Sequence, residues 1–169
     1  MSLQPHLLPP LEQEAWVADH LPYRIQVLRG LEIYDASGGF NSALRPVQPC
    51  IFEGTLLNCR WAAYFLGLDL QGNLLTQLAQ RKRDNDVHAV DIGGTLVNPT
   101  DSADLSVAER ALLASVLKGA NVAAAHPVRE GAHLMKDVYV GPAAKLLIKL
   151  IETHVYGVLG KPVPPWKWA

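Results

Sequence analysis

The stretch Gly141-Pro-Ala-Ala-Lys-Leu-Leu-Ile-Lys-Leu-Ile-Glu-Thr-His-Val-Tyr-Gly-Val-Leu-Gly160 decides the class of fold. Leu146, Leu147, Leu150, Ile151, His154, Val155 and Val158 recur at steps of three and four, the spacing of one helix face. Pro142 suits the first helical turn, where its missing N–H would be unpaired anyway. Gly160 is a natural stop, and Pro162 prevents continuation. Lys145, Lys149 and Glu152 break the apolar run well short of the eighteen or so residues that a membrane span requires. The stretch therefore predicts an amphipathic core helix, with His154 as a core histidine.

Upstream, Ile51 to Leu66 repeats the pattern, with Phe52, Leu56, Cys59, Ala63 and Leu66 on one stripe and Gly67 as the stop. Ser106-Val-Ala-Glu109 has the form of a capping box, in which the serine oxygen caps a free amide and the glutamate reaches back. It opens an alanine- and leucine-rich helix that Gly119 threatens and Pro127 ends. Leu11 to His20 and Pro22 to Asp35 read as two helices separated at Pro22, and Ser37-Gly38-Gly39 stops the second. Asn73 to Gln80 reads as a short helical run. Val87 to Gly94 is ambiguous, and Gly131 to Val140 reads as extended or hairpin-like. Period-two alternation is scarce. The expected fold is all-α: one domain over residues 1–169, an antiparallel bundle of about five or six helices. Residues 1–10 form an extended N-terminal segment, and 161–169 a tail rich in Pro and Trp.

Composition narrows the function. Hydrophobic residues are 49% of the 169 and charged residues 18%, which excludes a disordered linker. Fifteen Lys plus Arg against sixteen Asp plus Glu leave net −1, so no DNA-scale basic surface is expected. The N-terminus lacks the basic start and apolar core of a secretory signal. Cys50 and Cys59, on one helix, would lie on opposite faces about 13 Å apart along the axis. A disulfide needs Cα atoms within about 7 Å. Two buried thiols in a reduced, cytoplasmic protein are the reading.

Four groups of residues carry candidate chemistry. Glu53 and Arg60, seven apart, lie within about 20° on a helix; with Leu57 and Tyr64 they form a second face, predicting either an ion-pair network or a polar pocket. Asp84, Asp86, His88 and Asp91 are the densest potential metal-ligand cluster, with three donors on one side in extended chain. The cluster lacks the glycine and distal glutamate of a calcium-binding loop, so solvated or capping roles are favoured and no cofactor is expected. His126, Arg129 and His133 gather around a proline, and with Arg60 offer an acid–base group beside an anion-binding cation. Trp166 and Trp168 suit either a tail folded onto its own domain or an arm on a partner or single-stranded nucleic acid.

Tyr23-Arg24, then Glu53-x-x-Leu-x-Asn58-x-Arg60-x-x-x-Tyr64-Phe65-Leu66, then Asp84-x-Asp86-Val87-x-Ala89-x-Asp91, then Ala125-His126, together resemble a group of small bacterial helical proteins. Some of these are similar to the HEPN superfamily, whose active members are metal-independent ribonucleases. The superfamily's Arg-(four to six residues)-His signature is not matched: no histidine follows Arg60 within seven positions, and only three residues separate Arg129 from His133. The resemblance implies a helical, homodimeric protein acting by interaction with RNA or a protein partner. The polar constellation it singles out is Arg24, Glu53, Arg60, Asp84, Asp86 and His126. The alternative is RNA cleavage with Arg60 on the phosphate and His126 as the acid–base group.

Overall fold

Gln48–Phe65 is the helix around which the others assemble. A computed structural model describes residues 5–39, 43–81, 83, 85–125 (side chains to 122) and 139–165. Asp84, His126, Arg129, His133, residues 131–138 and the tail residues Trp166 and Trp168 lie outside these. The helices are α1 (Pro10–Ala15), α2 (Leu21–Leu28), α3 (Gly30–Ala36), α4 (Gln48–Phe65), α5 (Val107–Ala125) and α6 (Val140–Ile151). α4 packs against α2, α3, α5 and α6. Its stripe of Leu56, Cys59, Ala63 and Leu66 is buried, as the three-and-four spacing requires.

The chain is mainly α, not all-α. Asn73 to Gln80, expected to be helical, instead supplies the second strand of a hairpin, β1 (Leu68–Gln71) with β2 (Leu74–Gln77), antiparallel with Gln71 opposite Leu74. The two-residue loop Gly72-Asn73 makes this possible. Gly72 takes φ +61°, a left-handed conformation that costs glycine nothing, and Gly-Asn suits a two-residue hairpin turn. Gly119 does not interrupt α5, because nothing crowds it and one internal glycine costs only about 1 kcal/mol.

Pro22 does not divide the first helical region either. α1 runs into α2 through a π-turn, Trp16–His20, in which the Leu21 amide donates to the Trp16 carbonyl. In that register the Val17 carbonyl would accept from residue 22, which is proline and has no N–H. The Tyr156 hydroxyl, 139 residues away, takes its place at 2.8 Å. The real break comes at Arg29, after which α3 begins. Tyr156→Phe therefore strands the Val17 carbonyl, and a loss of about 1–3 kcal/mol is expected in denaturant unfolding. Pro22→Ala restores a local amide, so the same tyrosine change should cost less in that background. An equal cost in both would show that the tyrosine hydroxyl does not substitute for the missing amide.

α6 is buried over most of its circumference, with Pro142, Lys145 and Lys149 marking the wet stripe. It continues into a second π-turn, Glu152–Gly157. There the His154 carbonyl accepts the Thr95 amide at 2.8 Å. The buried His154 ring lies 3.0 Å from Thr95 Oγ1 and 3.5 Å from Asp104 Oδ1, tying the 93–104 loop to the last helix. Val158 is exposed, so the apolar stripe ends at Val155. Only one of the two expected buried thiols is buried: Cys59 is sealed, and burial pushes its thiol up to about 12, whereas Cys50 is exposed on the first turn of α4.

Candidate functional site

A second face of α4, beside the buried stripe, builds one wall of a cleft. Leu57, Arg60, Trp61, Tyr64 and Phe65 occupy positions i, i+3, i+4, i+7 and i+8, which share a helix face. Trp16 joins them from the first π-turn, and Arg83, Asn85, Asp86, Val87 and His88 close the other side. The cleft encloses about 430 Å³, within the range of small-molecule sites.

Trp16, Trp61 and Phe65 form a nearly parallel aromatic wall. Their ring centroids are 6.4 Å (Trp16 to Trp61), 6.1 Å (Trp16 to Phe65) and 5.1 Å (Trp61 to Phe65) apart, with planes within 13°. Arg24 sits 4.8 Å over Trp61 and donates to Asn58 Oδ1 at 2.9 Å, so it props the wall from outside the cleft. Arg60 is half-buried, 6.0 Å over the Tyr64 ring. The anticipated network with Glu53 does not form: Glu53 is exposed, and no carboxylate among the described residues makes an ion pair with Arg60.

Asp91 holds the opposite wall in place. It is 1% exposed, and its oxygens accept from the His6 amide at 2.7 Å, the His88 amide at 2.7 Å, and both terminal nitrogens of Arg81. Arg81 also donates to the Asp86 carbonyl, clamping the segment between them. Burial would raise the Asp91 pKa, but the Arg81 hydrogen bonds, the two amides and the Arg81 charge outweigh it and hold the carboxyl below the usual range.

His88 is 2% exposed and is the most buried polar residue of the cleft. Its Nδ1 lies 2.9 Å from the Tyr64 carbonyl, an acceptor only, so Nδ1 carries the proton. Nε2 is buried with no hydrogen-bond partner among the described residues. Burial, reinforced by the Arg81 charge and opposed by Asp91 and Asp86, lowers the His88 pKa. The ring is therefore neutral near pH 7, with a lone pair on Nε2.

Of the residues singled out from sequence, Arg60, Asp86 and His88 line the cleft, while Arg24, Glu53 and Asp91 do not. Asp91 is spent on Arg81 and on backbone amides, which removes it from any shared ligand set with Asp86 and His88. Among the described residues no three His, Cys, Asp or Glu side chains are placed to hold a metal. Sequence reasoning missed Trp16, Trp61 and Arg83 as cleft residues. Trp61 was recoverable, since it follows Arg60 and lies four residues from Leu57. Trp16 was not, because its place depends on the helix running on through Pro22. No family model matches the chain, and no curated protein or solved structure is significantly similar to it. Among the described residues no helix is long and apolar enough to cross a membrane.

Proposed function

We propose that the cleft binds a phosphate-bearing, flat-ringed ligand of mononucleotide size, and that the protein acts by binding such a molecule or the end of an RNA chain. The observation that carries this is Arg60: a half-buried guanidinium on a cleft wall, beside stacked aromatics, with no carboxylate paired to it among the described residues. A half-buried cation with no paired carboxylate among the described residues gains from an anion supplied from outside. Aromatic faces favour a stacked ring. Arg83, exposed at the rim, adds a second positive charge. The bacterial, HEPN-like, homodimeric and cytoplasmic setting implied by the resemblance and the cysteines belongs to the same proposal. RNA cleavage by Arg60 with His126 remains the alternative reading, and its test is degradation of RNA that His126→Ala abolishes.

Titration calorimetry with the four common nucleoside monophosphates tests the binding reading. Arg60→Gln should weaken binding by about 10- to 100-fold, the value of a charge-assisted hydrogen bond. It should leave the melting temperature nearly unchanged, since Arg60 makes no ion pair among the described residues. Absence of binding at millimolar nucleotide, or equal affinity in wild type and variant, would remove the proposal.

A further inference from the structure

We propose that His88 Nε2 is the acceptor that reads a ring-edge N–H of the occupant, and that protonation of His88 switches this recognition off. The inference rests on the nucleotide reading above and deepens it. Three observations lead to it. The Tyr64 carbonyl consumes the Nδ1 proton, so Nε2 offers a lone pair and no donor. That nitrogen is buried and unpaired among the described residues, which makes it costly to leave without a partner. His88 is also one of the residues lining a cleft whose other walls carry stacked aromatics and an arginine with no ion pair among the described residues.

The burial gradient orients the occupant. Arg83 is exposed, Arg60 is half-buried, and His88 is sealed. The phosphate therefore stays at the rim, and the ring enters along the aromatic wall. Its leading edge meets Nε2. An N–H there gains a partner and relieves the unpaired nitrogen, whereas an edge presenting only a lone pair or a methyl group leaves both unsatisfied. Sites built around a buried polar group reject analogues that lack the matching group far more strongly than apolar pockets reject a changed methyl. A proton on Nε2 inverts the preference, because the imidazolium only donates.

Arg81, Asp86 and Asp91 set this balance, and other charged or polar groups stand near. Arg81, Asp86 and Asp91 lie on the histidine's own segment, and Arg83 stands beside it at the rim. α4 contributes Arg60 and Tyr64. The N-terminal segment brings the His6 amide onto Asp91.

The test takes guanosine or uridine monophosphate, the two of the four whose rings carry an N–H, and compares it with the analogue methylated on that nitrogen, which keeps the phosphate and ring but has no ring N–H. Wild type should prefer the parent by about tenfold or more, the value of one recovered hydrogen bond. His88→Ala, which removes the acceptor and makes room for the methyl, should bind both alike. Equal binding by wild type overturns the inference and leaves the nucleotide reading standing. A preference that survives in His88→Ala also overturns it, since the discrimination then lies elsewhere. Failure of any nucleotide to bind removes both readings.

The pH dependence gives a second arm. Phosphate itself titrates near pH 6, so the readout is wild type against His88→Gln. From about pH 8 to pH 5 the wild-type affinity should fall more steeply. Parallel curves would overturn the switch. Imidazole nitrogen NMR on the unmodified protein guards against a misfolded variant: Nε2 should report a bare, unprotonated nitrogen at pH 7. A protonated Nε2 there contradicts the proposal.

Discussion

Replacing Asp91 by alanine should destabilise the protein by about 3–5 kcal/mol, the usual consequence of removing one partner from a buried ion pair. The carboxylate is 1% exposed and accepts from four donors on two segments: the His6 amide on one, the His88 amide and two nitrogens of Arg81 on the other. Without it, Arg81, whose side chain is only 17% exposed, keeps its charge and loses its counter-ion. The buried His88 amide and the His6 amide lose their acceptor as well. Denaturant unfolding measures the effect, and a loss below about 1 kcal/mol would show that Arg81 and the amides find water instead. Acid should reproduce part of it. The Asp91 carboxyl is held below its ordinary range, so its stabilisation is complete above the unfolded value near 3.9 and is lost as pH falls through the lower folded value. His88 acts earlier and in the same direction. Its folded pKa is lowered, so from about pH 6.5 downward the unfolded chain takes up the proton first and stability declines. A melting temperature that stays flat between about pH 7 and pH 5 would contradict the buried, neutral histidine.

Phe65→Ala should cost a comparable amount, about 3–5 kcal/mol, by a different route. The ring is 1% exposed and packs in the core, while one face lies parallel to both Trp16 and Trp61. Truncation loses the buried area, opens a cavity beside the cleft and removes one layer of the aromatic wall. Phe65→Leu keeps most of the volume and should cost much less. The tryptophan emission reports the wall directly, since both indoles lose a stacked neighbour. If the alanine variant unfolds within about 1 kcal/mol of wild type, the wall has collapsed into the gap, and the cleft's shape is less rigid than its parallel rings suggest.

The hairpin shows how a local signal can be present and still be misread. Leu74-Leu75-Thr76-Gln77-Leu78 is too short for periodicity to separate helix from strand. Gly72-Asn73 was the deciding cue, and it lay in the preceding residues. Pro22 shows the reverse: proline normally breaks a helix interior, and nothing local announces an exception. The exception depends on a tyrosine hydroxyl supplied by the far end of the chain.

The sequence by itself determined the helices that matter most, α4, α5 and α6, because apolar periodicity, a capping box and flanking glycine and proline act within a few residues of where they stand. It also placed Arg60 and Tyr64 together on the second face of α4, since seven residues make nearly two turns. The tertiary structure alone decided the site. Glu53 and Arg60 share a helix face, yet burial separates them, and the cation is left toward the cleft. Asp91 and His88 belong to one acidic turn in the sequence. Arg81 claims the carboxylate and the Tyr64 carbonyl claims one imidazole nitrogen, leaving the other without a partner among the described residues. Periodicity is a property of neighbours along the chain. The partner of a buried polar group is whichever segment folding brings within about 3 Å, and that choice is made across the whole molecule.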